Sequence, residues 1–353
     1  MPQRITLQPH EKDLGGGFRV RRLLPAAARQ AVGPFLFFDH FGPVTAGPAD
    51  NHDVRPHPHI GLATVTYLFE GAQMHRDSTG VVQRIEPGAI NWMTAGRGIV
   101  HSERTPDDLR GVERRSHGLQ LWCALPADDE ECEPVFQHHA AGALPECRLP
   151  GATVRVLVGS AFGLSSPVAV RSETLYLDMA FEPGDAFPLP LAAERAVYVV
   201  DGAVELDGTP LAPQTMTVLP PGEEPLISAS STARAVLIGG EPLGHRFMWW
   251  NFVSSRKDQC YDNGDFAKSI EDYSAAIKLD PKQAVYWENR GISRQKLAQW
   301  DDAYAYAWSA TAAVLSCYLP ATRAEVAAGT ESVDDAWAQV LQHGGEHVLK
   351  LAD

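Results

Sequence analysis

Four residues in this chain have the types and the spacing to hold a metal ion. His57 and His59 flank Pro58, and His101 and Glu103 flank Ser102. On an extended strand, residues two apart face the same way, so each pair projects from one side of its strand. Were the two strands neighbours, three imidazoles and one carboxylate would meet as an N3O donor set. That spacing suits a β-barrel interior, where every second side chain faces the lumen; a helix would present ligands at i, i+4. Four protein ligands on an ion that prefers six leave two positions open, enough for dioxygen and a chelating substrate. Three neutral imidazoles and one carboxylate on a divalent ion leave a net charge of about +1, which favours an anionic, oxygen-donating ligand. Iron(II) suits the set best, while manganese, cobalt, nickel and copper accept the same donors.

The elements needed to position these pairs are strands. Phe18 to Leu23, Phe35 to Phe38, Thr64 to Phe69, Gly88 to Thr94 and Leu119 to Trp122 read as short strands, with Pro and Gly recurring every eight to twelve residues. A glycine turn, Gly96-Arg97-Gly98, leads into His101. From about Val154 to Ile238 the chain is β-rich again, and Asp201-Gly202 and Asp207-Gly208 mark hairpin turns.

The second β-rich half looks like a copy of the first. His57 to Gly71 aligns without a gap on Pro188 to Gly202, matching Tyr67 to Tyr198, Glu70 to Asp201 and Gly71 to Gly202. His57 and His59 then fall on Pro188 and Pro190. Setting Gly98 on Gly222 puts His101 on Pro225 and Glu103 on Ile227. Proline and isoleucine bind no ion, so one barrel is expected to hold metal and the other to lack ligands.

Several segments carry a family resemblance: Phe38-Asp39-His40-Phe41-Gly42-Pro43, Arg55 to Gly61, His75-Arg76-Asp77-Ser78, Trp92 to Glu103, and Phe247-Met248-Trp249-Trp250-Asn251-Phe252. Over roughly residues 1 to 256 the chain resembles the pirin family of bicupins. The resemblance implies a mainly β fold of two cupin barrels (double-stranded β-helices) and a non-haem iron held by His57, His59, His101 and Glu103. Some pirins are quercetin 2,3-dioxygenases, which open a flavonol with dioxygen and release carbon monoxide. Others are described as iron-dependent transcriptional cofactors, so the resemblance fixes the site more firmly than the activity.

After Ser255 the pattern turns helical. Gly264-Asp265-Phe266 recurs 34 positions later as Ala298-Gln299-Trp300, and Ala276 as Ala310, which resembles a tetratricopeptide repeat. The expected organisation is an N-terminal metal-binding barrel over 1–125, a barrel lacking ligands over 126–255, a repeat-like segment over 256–318 and a helical tail over 319–353. The segment 257–318 is a candidate surface for a protein partner, though one and a half repeats stack poorly alone.

A formal charge of −14 argues against binding nucleic acid or an anionic membrane. Five unpatterned cysteines and no visible secretory signal or bilayer-length apolar run point to a cytoplasmic protein. Candidates to orient the ligands are His40, Asp53, His75, His117 and Gln120. Phe38, Trp92, Met93 and Leu121 are candidate walls for a planar aromatic substrate, and Glu103 is a ligand that could also serve as the catalytic base.

Overall fold

In the computed structural model, residues 3–14, 18–249 and 251–257 are described; the expected repeat-like segment and tail lie almost wholly outside them. Two barrels follow one plan. In the first, a seven-stranded sheet runs in the spatial order Val135–His139, Ile90–Thr94, Leu62–Glu70, Arg114–Ala124, Phe35–Ala46, Arg19–Leu24, His10–Asp13. It faces a four-stranded sheet ordered Val54–His59, Ile99–Arg104, Gln73–Asp77, Val82–Ile85. In the second barrel the seven-stranded sheet runs Ile5–Leu7, Met216–Leu219, Glu194–Asp201, Ala233–Gly240, Thr174–Phe181, Ala152–Val158, Glu146–Leu149. Its four-stranded partner is Phe187–Pro188, Leu226–Ala229, Val204–Leu206, Thr209–Leu211.

Strand pairing crosses the boundary at 125 in both directions. Ile5–Leu7 pairs with Met216–Leu219 of the second barrel, and Val135–His139 pairs with Ile90–Thr94 of the first. Each barrel thus completes the other's large sheet, covering an edge that would otherwise expose unpaired backbone. The largest core lies between the barrels, where Phe38, Val65, Tyr67, Trp92 and Leu121 meet Tyr176, Tyr198, Val236 and Ile238. Two repeat-related tyrosines cross this core in opposite senses. Tyr67 donates to Asp178 Oδ2 at 2.6 Å, and the Tyr198 hydroxyl meets His40 Nδ1 at 2.6 Å. Buried polar groups of this kind need such partners, since leaving one bare costs about 1–3 kcal/mol.

Candidate metal centre

Strand register brings the two sequence pairs together. Val54–His59 and Ile99–Arg104 are antiparallel neighbours with His101 directly opposite His57, and a bulge follows between His101 and Glu103. Gly61 supports the geometry just beyond His59: at φ +73° it passes so close to Val253 that an added Cβ would overlap that carbonyl oxygen. The donor atoms of His57, His59 and His101 all lie within 4.8 Å of one another. His59 and His101 are buried and His57 partly so. Burial lowers the pKa of all three, so the rings are neutral near pH 7, the form that ligates metal.

The hydrogen bonds behind the rings decide which nitrogen points inward. His57 Nδ1 faces the Arg55 carbonyl at 2.8 Å, and His59 Nδ1 faces the Asn251 carbonyl at 3.3 Å. A carbonyl only accepts, so both Nδ1 atoms carry the proton and both Nε2 atoms are bare. His57 Nε2 meets His101 Nε2 at 3.1 Å. That contact needs either a proton or a cation between the two nitrogens, and three convergent neutral imidazoles fit a divalent transition ion. Glu103 stands outside this set: its Oε1 is 4.0 Å from His101 Nδ1, the ring edge away from His57. Burial pushes its carboxyl up to about 7 against an opposing backbone hydrogen bond.

Of the five residues expected to orient ligands, His75 alone touches the triad, with its Nδ1 3.4 Å from His101 Nδ1. His40 and His117 bond each other at 2.8 Å in the inter-barrel core. Gln120 accepts from Thr66, and Asp53 holds the Thr105 amide. Asp77 was missed; its Oδ2 meets His75 Nε2 at 2.9 Å. The signal was present, since His75 and Asp77 repeat the i, i+2 spacing of the ligand pairs.

The expected aromatic wall is out of phase by one residue. Phe38, Trp92 and Leu121 belong to the core between the barrels. The ring beside His59 is Trp122, 5.1 Å away edge-on, itself stacked on Phe37 at 4.1 Å. Strands buried on both faces show no polar alternation, so the sequence could not tell one face from the other. Met93 packs with Ala95, Ile99 and Phe136, on the flank that carries His101.

The expected alignment of the halves also slips. By strand pairing, Phe187 is opposite Ile227 as His57 is opposite His101, and Ile227 is opposite Leu206 as His101 is opposite Asp77. The counterparts of His57, His59, His101 and Glu103 are therefore Phe187, Leu189, Ile227 and Ala229, not Pro188, Pro190, Pro225 and Ile227. The second barrel carries one more residue before its tyrosine strand and two more after Gly222, which a gapless alignment cannot register. All four counterparts are buried and apolar.

Two facing cupin barrels, with an imidazole triad inside the first, define a bicupin. Profiles for pirin and for the pirin C-terminal cupin domain match residues 17–123 and 176–273, and a TPR-repeat profile matches 258–297. A pirin-like protein of Caulobacter vibrioides is 47% identical over 259 residues, covering 72% of this chain and 89% of that one. Human pirin is 36% identical over 248 residues, 68% of this chain and 82% of its own. A crystal structure of quercetin 2,3-dioxygenase from Acinetobacter baumannii superposes with a TM-score of 0.69 at 35% identity, over 77% of this chain and 89% of that one. The chain belongs to the pirin family. Among the described residues, no helix is long and apolar enough to cross a membrane.

Proposed function

We propose that the protein is a metal-dependent dioxygenase that opens flavonols such as quercetin with dioxygen, using one iron(II) in the first barrel. The observation that carries this is the pair of Nε2 atoms of His57 and His101 at 3.1 Å, with the His57 proton already committed to Arg55. The likeness to a quercetin 2,3-dioxygenase at 35% identity supports the substrate class. His57, His59 and His101 would hold the ion. Rotation of Glu103 toward the triad would complete the N3O set, whose charge of about +1 attracts a deprotonated oxygen ligand. The bound ion would supply a template on which substrate and dioxygen meet and through which charge passes between them.

The protein's own groups would do the rest. A flavonol chelates through its 3-hydroxyl and 4-carbonyl only after the hydroxyl loses its proton. Glu103, the buried carboxylate beside the triad, would take that proton. Trp122, stacked on Phe37 and edge-on to His59, offers an apolar face to a planar ring system. A cytoplasmic location goes with this reading, as Cys123, Cys132 and Cys147 are free thiols.

The iron(II)-loaded protein is expected to consume dioxygen with quercetin and to release carbon monoxide. Absence of turnover with every flavonol tried, under iron, manganese, cobalt, nickel and copper in turn, would sink the reading. A second reading, a redox-sensing regulator that binds a protein through 257–318, draws support from the TPR-repeat match at 258–297. Affinity capture with the full chain should then retain a partner that a chain ending at residue 257 loses.

A further inference from the structure

We propose that Asp77 and His75 form a hydrogen-bond relay that fixes His101 in the tautomer with a bare, inward-facing Nε2. Both would be positioning residues for the metal centre, an inference that rests on the metal reading above. Asp77 is the fixed end of the relay. Its Oδ1 accepts from the Thr79 amide at 2.9 Å, the Thr79 hydroxyl at 2.7 Å and the Val81 amide at 3.2 Å. Its Oδ2 is left for His75 Nε2 at 2.9 Å, and the Asp77 side chain is wholly shielded from solvent. Burial opposes its ionisation, yet the bonds from His75 and Thr79 outweigh that and hold it below the usual carboxylate range. A carboxylate only accepts, so His75 Nε2 carries the proton.

With Nε2 donating to Asp77, the other ring nitrogen of His75, Nδ1, faces His101 Nδ1 at 3.4 Å, the long end of a hydrogen bond. In the proposed relay His75 Nδ1 accepts there and His101 donates. Its remaining nitrogen, Nε2, is bare and turned toward His57. Phe136 stacks on the His75 ring at 4.4 Å and 25°, holding it in register. Register supplies a second argument. His101 is opposite Asp77, and Glu103 opposite His75, across one strand pair. In the second barrel the matching positions of Asp77 and His75 are Leu206 and Val204, opposite Ile227 and Ala229. Where the ligands are replaced by apolar groups, the relay is replaced with them.

The test is Asp77→Asn. Three donors hold the Asp77 Oδ1 position, so the asparagine oxygen stays there and its amide turns to His75 Nε2. That Nε2 becomes an acceptor, the proton moves to Nδ1, and His101 is forced to the opposite tautomer with Nε2 protonated. With zinc(II), a diamagnetic ion, taking the place of a proton between the two Nε2 atoms, isotope-edited 1H–15N spectra should show His101 protonated at Nδ1 in the unaltered chain, and that signal should be lost in Asp77→Asn. The Kd for cobalt(II), read from its visible absorption, should rise about 10- to 100-fold, the usual loss when a group orienting a metal ligand is removed. Unchanged tautomer and Kd would remove the relay while leaving the metal site intact. Should the variant fail to fold, the unaltered protein still decides: a His101 without a proton on Nδ1 in the zinc(II)-loaded state overturns the proposal. Failure of the unaltered protein to bind cobalt(II) would instead remove the metal reading beneath it.

Discussion

The two barrels share strand order in both sheets and differ most where the four-stranded sheets face inward. In the first, His57, His59, His101, Glu103, His75 and Asp77 occupy a polar grid. In the second, the six matching positions are Phe187, Leu189, Ile227, Ala229, Val204 and Leu206, all buried. The same backbone plan accepts either a coordination site or an apolar plug. The choice costs the fold little because each set satisfies itself: apolar groups by packing, polar groups by bonding to one another or to a cation.

The largest blow to the contrast is to give the first barrel the second's residues. His59→Leu with His101→Ile should weaken cobalt(II) binding by well over about 100-fold, beyond the loss from orienting groups, while the far-ultraviolet spectrum is kept. Retained tight binding would place the ion elsewhere. Next comes the wall beside the triad. Trp122→Ala removes the partner of both Phe37 and His59 and should lower unfolding stability by about 3–5 kcal/mol in urea titration.

The crossing tyrosines sharpen the comparison further. Tyr67 donates to the carboxylate of Asp178, which Arg234 also grips at 2.8 Å. Tyr67→Phe should cost about 1.5–3 kcal/mol, the range for a bond to a charged group. The Tyr198 partner, His40, responds to acid. Burial first, then Arg21 and His117, lower its pKa to about 2, and burial lowers His117 to about 4. Unfolding lets both rings return to about 6.5 and take up protons that the folded chain refuses. Stability from this pair is therefore complete above about pH 6.5 and falls as pH drops, by about 1.4 kcal/mol per unit for each histidine. Urea titrations between about pH 7 and pH 5 read it. Tyr198→Phe, whose partner is neutral, should cost least, about 1 kcal/mol.

The two i, i+2 pairs were legible because period 2 on a strand is a local property. His57-x-His59 and His101-x-Glu103 state their own geometry, and the duplicated tyrosine strand announced the second barrel. What could not be read was set by long-range register. The phase of Phe37 and Trp122 against Phe38 and Leu121 depends on which sheet face meets the other barrel, and both faces are apolar. The slip that put Pro188 where Phe187 belongs came from extra residues in connections, and one residue of slip reverses every side chain on a strand. The place of Glu103 beside, not within, the triad follows from a bulge that no residue type marks.

Residues 5–7 lie in the rear sheet and 135–139 in the front one. The half with the imidazole triad therefore cannot be cut free intact: severed near residue 125, it would lose the strand that shields Ile90–Thr94 and bare a sticky edge. The half without the triad serves as a clamp, and the smallest unit able to keep the triad in place is the interlocked pair.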